Sequence, residues 1–325
     1  MPAELGEFGR IRQLLAPLAA GAPGALGLGD DAALIALPPG ETLVVTADAL
    51  VEGVHFLPDD PPDLVARKLL RCNLSDLAAM AAVPLAYVMT MALPGRCNDG
   101  WVREFAQGLA ADQAEYGIHL LGGDSVSTPG PITLSVTAFG RVAAGGEVRR
   151  GGARAGDILY VSGTIGDGAL GLLAATGRLS GLDPGERRYL ADRYRLPRPR
   201  VTLGAALAGA ASAMIDISDG LAGDLDHLAE ASGVAAIVEA ARVPLSAAAA
   251  SVLADEVGWI ETVLGGGDDY ELLFTAPPEA DIAERARRAA VPVTAIGRIE
   301  AGAGVRILDR DGAPLALARR GFRHT

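Results

Sequence analysis

The 325-residue sequence contains a single lysine, Lys68, two cysteines, Cys72 and Cys97, and only 4% aromatic residues. The lone lysine removes the P-loop route to nucleotides, since no G-x-x-x-x-G-K-[ST] segment exists, and it confines any Schiff-base chemistry to one position. The two cysteines form no C-x-x-C pair, which argues against a zinc ribbon and a disulfide framework and fits a reducing cytoplasm. Basic tracts are absent too, and a formal net charge of −12 opposes an electrostatic grip on nucleic acid or on an anionic membrane. No apolar run approaches the ~20 residues that span a bilayer, and the acidic stretch from Met1 to Gly9 has no apolar signal core. The expectation is therefore a cytoplasmic globular protein that binds neither nucleic acid nor membrane. Half of its residues are hydrophobic, enough for a chain of this length to bury the cores of two domains.

Apolar residues at helical spacing (Phe8, Ile11, Leu14, Leu15, Leu18) predict an opening helix that ends near Gly21. The runs 32–37 and 42–50, separated by Pro38-Pro39-Gly40, read as a β-hairpin. A helix over 61–82, a strand over 85–93, a helix over 99–116 and strands over 118–121 and 132–142 complete a first α/β domain, in which Gly122-Gly123-Asp124 is a loop after a strand. A Gly- and Arg-rich segment near residues 143–152 places the domain boundary at 148/149. Beyond it, strands over 158–161, 213–217, 235–238, 270–275 and 293–297 alternate with helical segments, so the second domain, 149–325, is also α/β. Ser218 or Asp219 is a candidate N-cap for a helix over 221–231.

What the sequence does have is acid beside small residues: Gly29-Asp30-Asp31, Asp48, Asn73-Leu74-Ser75-Asp76, Gly122-Gly123-Asp124, Asp216-Ile217-Ser218-Asp219-Gly220 and Gly266-Gly267-Asp268-Asp269. One such loop alone reads as an ordinary turn. Together they point to divalent cations, because crowded carboxylates repel unless neutralised, and hard oxygen ligands suit Mg²⁺ better than zinc or copper. Glycine beside them lets backbone approach an anion, which suits a phosphate bridged to protein by metal. Asp76 is the least turn-like, set in the apolar helix sequence Leu74 to Met80, where it needs an Arg or a metal partner. His55 reads as a substrate contact, a general base or a surface residue; Arg150 as a phosphate clamp or a solvated side chain; Cys72 as a small core residue. His119, His227 and His324 are dispersed without metal spacing.

Over almost its full length the chain resembles the thiamine-monophosphate kinases, of the superfamily that includes aminoimidazole ribonucleotide synthetase. The resemblance rests on Gly6-Glu7-Phe8, Gly29 to Ala32, Thr46-Ala47-Asp48 with Glu52 to Phe56, Asn73 to Asp76, Gly122 to Asp124, Asp216 to Leu221 and Gly266 to Leu273. It implies two α/β domains, the N-terminal one binding ATP and Mg²⁺ and pairing its strands across a homodimer, the C-terminal one covering the active-site cleft. It implies several Mg²⁺ ions on Asp31, Thr46, Ala47, Asp48, Asp76, Asp124, Asp216 and Asp219, nucleotide contacts from Gly123, Asp124, Arg150 and Ser218, and thiamine phosphate contacts from His55, Asp268 and Phe322. Asp76, Asp124 and Arg150 are the implied catalytic residues, with ATP and thiamine monophosphate as substrates. The family commonly carries Thr where this chain has Ala47, Glu where it has Asp268, and a C-terminal Trp where it retains Gly321-Phe322.

An attacking phosphate monoester is already largely dianionic at neutral pH, so phosphoryl transfer to it needs charge neutralisation and alignment rather than a strong base. Two other functions share the acidic pattern: a synthetase that activates an amide oxygen by phosphorylation, and a noncatalytic divalent-metal module. The selenophosphate synthetase and hydrogenase-maturation relatives are set aside, because their N-terminal Cys with Lys and their C-terminal Cys are missing here.

Overall fold

The structure, a computed structural model, describes Leu5 and residues 7–322. Gly6 of the opening motif and His324 lie outside the described residues. The chain divides into two compact units, Met1–Leu77 with Ala82–Gly145, and Ala78–Ala81 with Gly146–Thr325.

The first unit opens with α1 (Glu7–Arg10), which runs into a π-helical turn over Ile11–Leu15 and a 3₁₀ turn over Ala16–Ala19. A single regular helix was the expectation; Pro17, which lacks an N–H to donate, interrupts it. β1 (Glu41–Val51), α2 (Pro62–Ala79), β2 (Val83–Leu93), α3 (Asp99–Tyr116), β3 (His119–Ser127) and β4 (Thr133–Ala143) follow. The strands form one mixed sheet in the order β1-β4-β2-β3, with β2 and β3 parallel and the other neighbours antiparallel. The expected hairpin is absent: residues 33–38 are irregular, the Leu34 N–H bonds the Gly24 carbonyl at 2.9 Å, and β1 pairs with β4 instead.

Alternation explains the sheet. Along β4 the even-numbered residues Leu134, Val136 and Ala138 are buried and their odd-numbered neighbours half-buried, the period-two pattern of a strand with one covered face. Leu69, Leu70, Leu74 and Leu77 of α2 are fully buried, as are Phe105 and Leu109 of α3, each contributing roughly 1.5–3 kcal/mol by burial. α3 starts where the Asn98 side chain accepts the Trp101 N–H and stops at left-handed Gly117. Between the helices, buried Arg71 donates to both oxygens of Asp112, at 2.8 and 2.9 Å, and Arg67 donates to Asp112 at 2.7 Å.

The second unit contains β5 (Ile158–Ser162), α4 (Asp167–Ala175), α5 (Pro184–Arg195), α6 (Val201–Leu207), β6 (Ala213–Asp216), α7 (Leu221–Ser232), β7 (Ala235–Glu239), α8 (Ala247–Asp255), α9 (Ile260–Gly265), β8 (Leu272–Ala276), α10 (Ile282–Ala289), β9 (Val293–Glu300) and β10 (Gly304–Leu308). Its sheet runs β10-β7-β9-β5-β8-β6, with β10 and β7 parallel and the other pairs antiparallel. Leu159, Val161, Ile215, Leu225, Leu273 and Ile296 anchor its main core. The protein is thus a mixed α/β chain whose two units each carry their own mixed sheet. Among the described residues, no helix is long and apolar enough to cross a membrane.

Candidate functional site

Thr46 and Asp48 lie two residues apart on β1, so both side chains turn to the same face of the strand, where the Thr46 hydroxyl donates to Asp76 of α2 at 2.5 Å. Asn73 stands three residues before Asp76 on the same helix and is fully buried; its Oδ1 accepts the Asp48 N–H at 3.2 Å and its Nδ2 donates to the Leu69 carbonyl at 3.0 Å. This arrangement holds Asp48 beside Asp76. Burial, and then repulsion from Asp76, push the Asp48 carboxyl up to about 6. The sequence supplied Asp76 and Asp48 but missed Asn73, although the i, i+3 spacing within Asn73-Leu74-Ser75-Asp76 is the signal that places both on one helix face.

The Gly-Gly-Asp segment is not a loop: Gly122, Gly123 and Asp124 lie inside β3, paired with Val88, Met89 and Thr90 of β2. Glycine is needed at 123 because a Cβ there would run into the Met89 carbonyl oxygen. Thr90 aligns with Ser135 and Ser135 with Ala49, so Asp124 sits three strands from β1, roughly 14 Å from the Asp48 row. It lines a cleft with Asp31 instead. Asp30, Asp31, Gly122, Gly123, Asp124 and Ser125 share a cleft of about 290 Å³ whose apolar wall includes Ile11, Leu15, Leu28 and Met91. The acids of the first unit therefore fall into two groups, Asp48 with Asp76 and Asp31 with Asp124. His55, half-buried, accepts the Val51 N–H on Nδ1 at 3.0 Å, and its carbonyl takes a bond from buried Lys68 at 2.9 Å.

In the second unit three segments meet. Asp216 ends β6, nearly buried, and the chain then runs Ile217-Ser218-Asp219 into α7. The Ser218 carbonyl accepts the Asp268 N–H at 2.9 Å, the Tyr270 N–H bonds the Ile217 carbonyl at 2.8 Å, and the Asp219 carbonyl accepts the Phe322 N–H at 2.9 Å. Ser218, Asp219, Asp268 and Phe322 are thus neighbours through backbone bonds. The Arg320 guanidinium grips Asp226 on α7 at 2.6 and 2.8 Å, which fixes the segment carrying Phe322.

Neither Ser218 nor Asp219 caps α7. Gly220 is the capping residue, and Asp224, in the first turn, reaches back to accept the Asp219 and Gly220 N–H groups on one oxygen, at 3.1 Å each. Gly220, at φ of 125°, has no side chain to cap with, and Asp224 takes that place from within the first turn. Burial, and then the Asp219 charge, push the Asp224 carboxyl up to about 7 against the pull of those N–H groups and of Arg150. Arg150 is therefore close enough to Asp224 to act on its charge, and its carbonyl is held by the Ser232 hydroxyl at 2.9 Å. Asp224 escaped the sequence reading because Leu-Ala-Gly-Asp looks like ordinary amphipathic helix.

The donors gathered here are hard oxygens, and crowding of the Asp48 and Asp76 carboxylates is the electrostatic condition that a divalent cation relieves. No three His, Cys, Asp or Glu side chains among the described residues form one metal-binding group.

Residues 29–142 match the N-terminal domain of AIR synthase related protein, and residues 154–310 match its C-terminal domain. The thiamine-monophosphate kinase of Caulobacter vibrioides is 45% identical over 323 residues, 98% of this chain and 90% of that protein. The crystal structure of thiamine-monophosphate kinase from Stenotrophomonas maltophilia K279a superposes with a TM-score of 0.84 at 40% identity, covering 96% of this chain and 99% of that one. AaThiL complexed with AMPPCP and TMP gives 0.77 at 32% identity, covering 98% and 97%. By two matched domains and identity along nearly its whole length, the chain belongs to the AIR synthase-related family and, within it, to the thiamine-monophosphate kinases.

Proposed function

We infer that the protein transfers the γ-phosphoryl group of ATP to thiamine monophosphate, giving thiamine diphosphate and ADP. The observation that carries this is identity of 45% over 98% of the chain to a kinase of that activity, joined by the full-length likeness to a relative complexed with AMPPCP, an ATP analogue, and TMP. An oxygen of the acceptor phosphate bonds to the γ-phosphorus while the bond from that phosphorus to the bridging oxygen breaks and ADP departs. We assign direct in-line transfer, because an already ionised acceptor needs no protein nucleophile.

Asp31, Thr46, Asp48, Asp76, Asp124, Asp216 and Asp219, with the main-chain carbonyl of Ala47, are the residues that would hold Mg²⁺. Bound there, the ions would neutralise phosphate charge and orient the reacting groups. Asp31 and Asp124 line one cleft with Gly123, and that cleft is where a nucleotide would meet the strand backbone. In the second unit, Arg150 brings positive charge beside the acidic helix start, Ser218 offers a hydroxyl, and Asp268 and Phe322 supply an acid and an aromatic face for thiamine phosphate. His55 is the corresponding substrate contact of the first unit.

Residues 1–148 are assigned to ATP and Mg²⁺ binding and dimerisation, and residues 149–325 to covering the active-site cleft. β1 is an edge strand that exposes Leu43 and Val45, apolar side chains that favour pairing with a second copy.

The test is ADP release from Mg-ATP with thiamine monophosphate, thiamine or an aminoimidazole ribonucleotide precursor, the organic product being followed by mass. Thiamine diphosphate formed only from the monophosphate is expected. Turnover of the amide precursor alone would move the protein to the synthetase reaction.

A further inference from the structure

From residue 268 to 271 burial alternates. Asp268 and Tyr270 are half-buried, whereas Asp269 and Glu271 are fully buried and point the other way. Asp268 and Tyr270 have φ of 71° and 52°, left-handed values that residues with a Cβ hold only where their surroundings over-determine the backbone. The buried pair supplies that constraint. One Asp269 oxygen accepts the Gly166 N–H at 2.7 Å and the other accepts the Gly168 N–H at 2.9 Å, so the carboxylate clamps the start of α4. Arg193 donates to the Asp269 carbonyl at 3.3 Å and to Glu271 at 3.2 Å, while Arg200 grips Glu271 with two nitrogens and Ser162 donates to it at 2.6 Å. The fit is close, since a Cβ at Gly168 would strike the Asp268 carbonyl. So much buried charge is a costly way to hold a loop, which makes sense where the loop's exposed side must be exact.

We propose that Asp269 is a positioning residue: by clamping α4 from inside, it sets the direction in which Asp268 reaches for thiamine monophosphate. This rests on the reading of Asp268 as a substrate contact. Asp269 itself, wholly buried, touches no substrate.

Steady-state kinetics of Asp268→Ala, Asp269→Asn and the double variant test it, with folding followed by circular dichroism. Each single change should raise KM for thiamine monophosphate about tenfold with kcat altered much less, and the double variant should be no worse than Asp268→Ala alone. A purely structural Asp269 would lower melting temperature and active fraction with KM unchanged, and additive effects would show that it acts independently of Asp268; either result overturns the proposal. An unchanged KM in Asp268→Ala would instead remove Asp268 from the substrate site, and the proposal with it. Should Asp269→Asn not fold, Gly168→Ala presses on the Asp268 backbone without altering charge. A rise in KM that disappears in the Asp268→Ala background supports the proposal, and an unchanged KM refutes it.

Discussion

Asp76 takes its hydrogen bond from Thr46 through an oxygen that asparagine also possesses, so Asp76→Asn can keep the local geometry while removing the charge that crowds Asp48. With the metal-binding role assigned to Asp76, this variant should keep its melting temperature within a few degrees and lose about 10²–10³-fold in kcat. Full activity in the purified variant would take Asp76 out of the mechanism. Asp224 gives a prediction of another kind. Its carboxyl, raised from 3.8 to about 7 in the fold, binds a proton in the native state that the unfolded chain has already released. Stability of the metal-free protein must therefore fall as pH rises from about 4 to about 7, and stay level with respect to this group above that. Asp224→Asn mimics the protonated acid, since one oxygen still accepts both N–H groups. Urea unfolding should show it more stable than the parent at pH 8, on the order of 4 kcal/mol, with the difference vanishing near pH 4. A difference independent of pH would show that Asp224 does not titrate in this range.

At the scale of elements, α2 carries Asn73 and Asp76 to β1, and α2 is itself held to α3 by the Arg71 and Arg67 bonds to Asp112. Asp112→Ala takes from the buried Arg71 guanidinium the carboxylate that it meets with two bonds, and keeps the Glu115 pair at 2.7 Å. It should cost about 3 kcal/mol in denaturant unfolding; a loss below about 1 kcal/mol would mean that the apolar contacts of α2 and α3 suffice alone. α2 and α3 were legible in the sequence because both are long and periodic, and α3 is marked by Asn98 before it and Gly117 after it. The runs 32–37 and 122–124 were misread for opposite reasons. The first is β-rich, but its Leu34 N–H is taken by the Gly24 carbonyl and it stays irregular, while β1 pairs with β4. The second is Gly-rich, which signals a turn locally, yet it extends β3 because Met89 offers a neighbour that only glycine can approach.

Across the whole molecule the charge of −12 is spread over both units, while the exposed apolar residues Leu43 and Val45 share one face of an edge strand. Val45→Glu places a charge on that face and should turn the proposed dimer into monomer, read by light scattering during gel filtration. A monomeric parent protein, or an unchanged dimer in the variant, would remove this face from the interface.

The sequence by itself determined the class of chemistry and most of the regular elements. Acids set among small residues repel one another when crowded, a condition that cations relieve, and hydrophobic period declares helix or strand over a long enough window. Only tertiary structure decided how those acids are grouped. Strand order puts Asp124 with Asp31 and three strands away from Asp48, and a buried ionic network turns Asp269 inward so that Asp268 faces out. Residues adjacent in the chain, or alike in type, acquire different roles because which face each presents depends on neighbours remote in sequence.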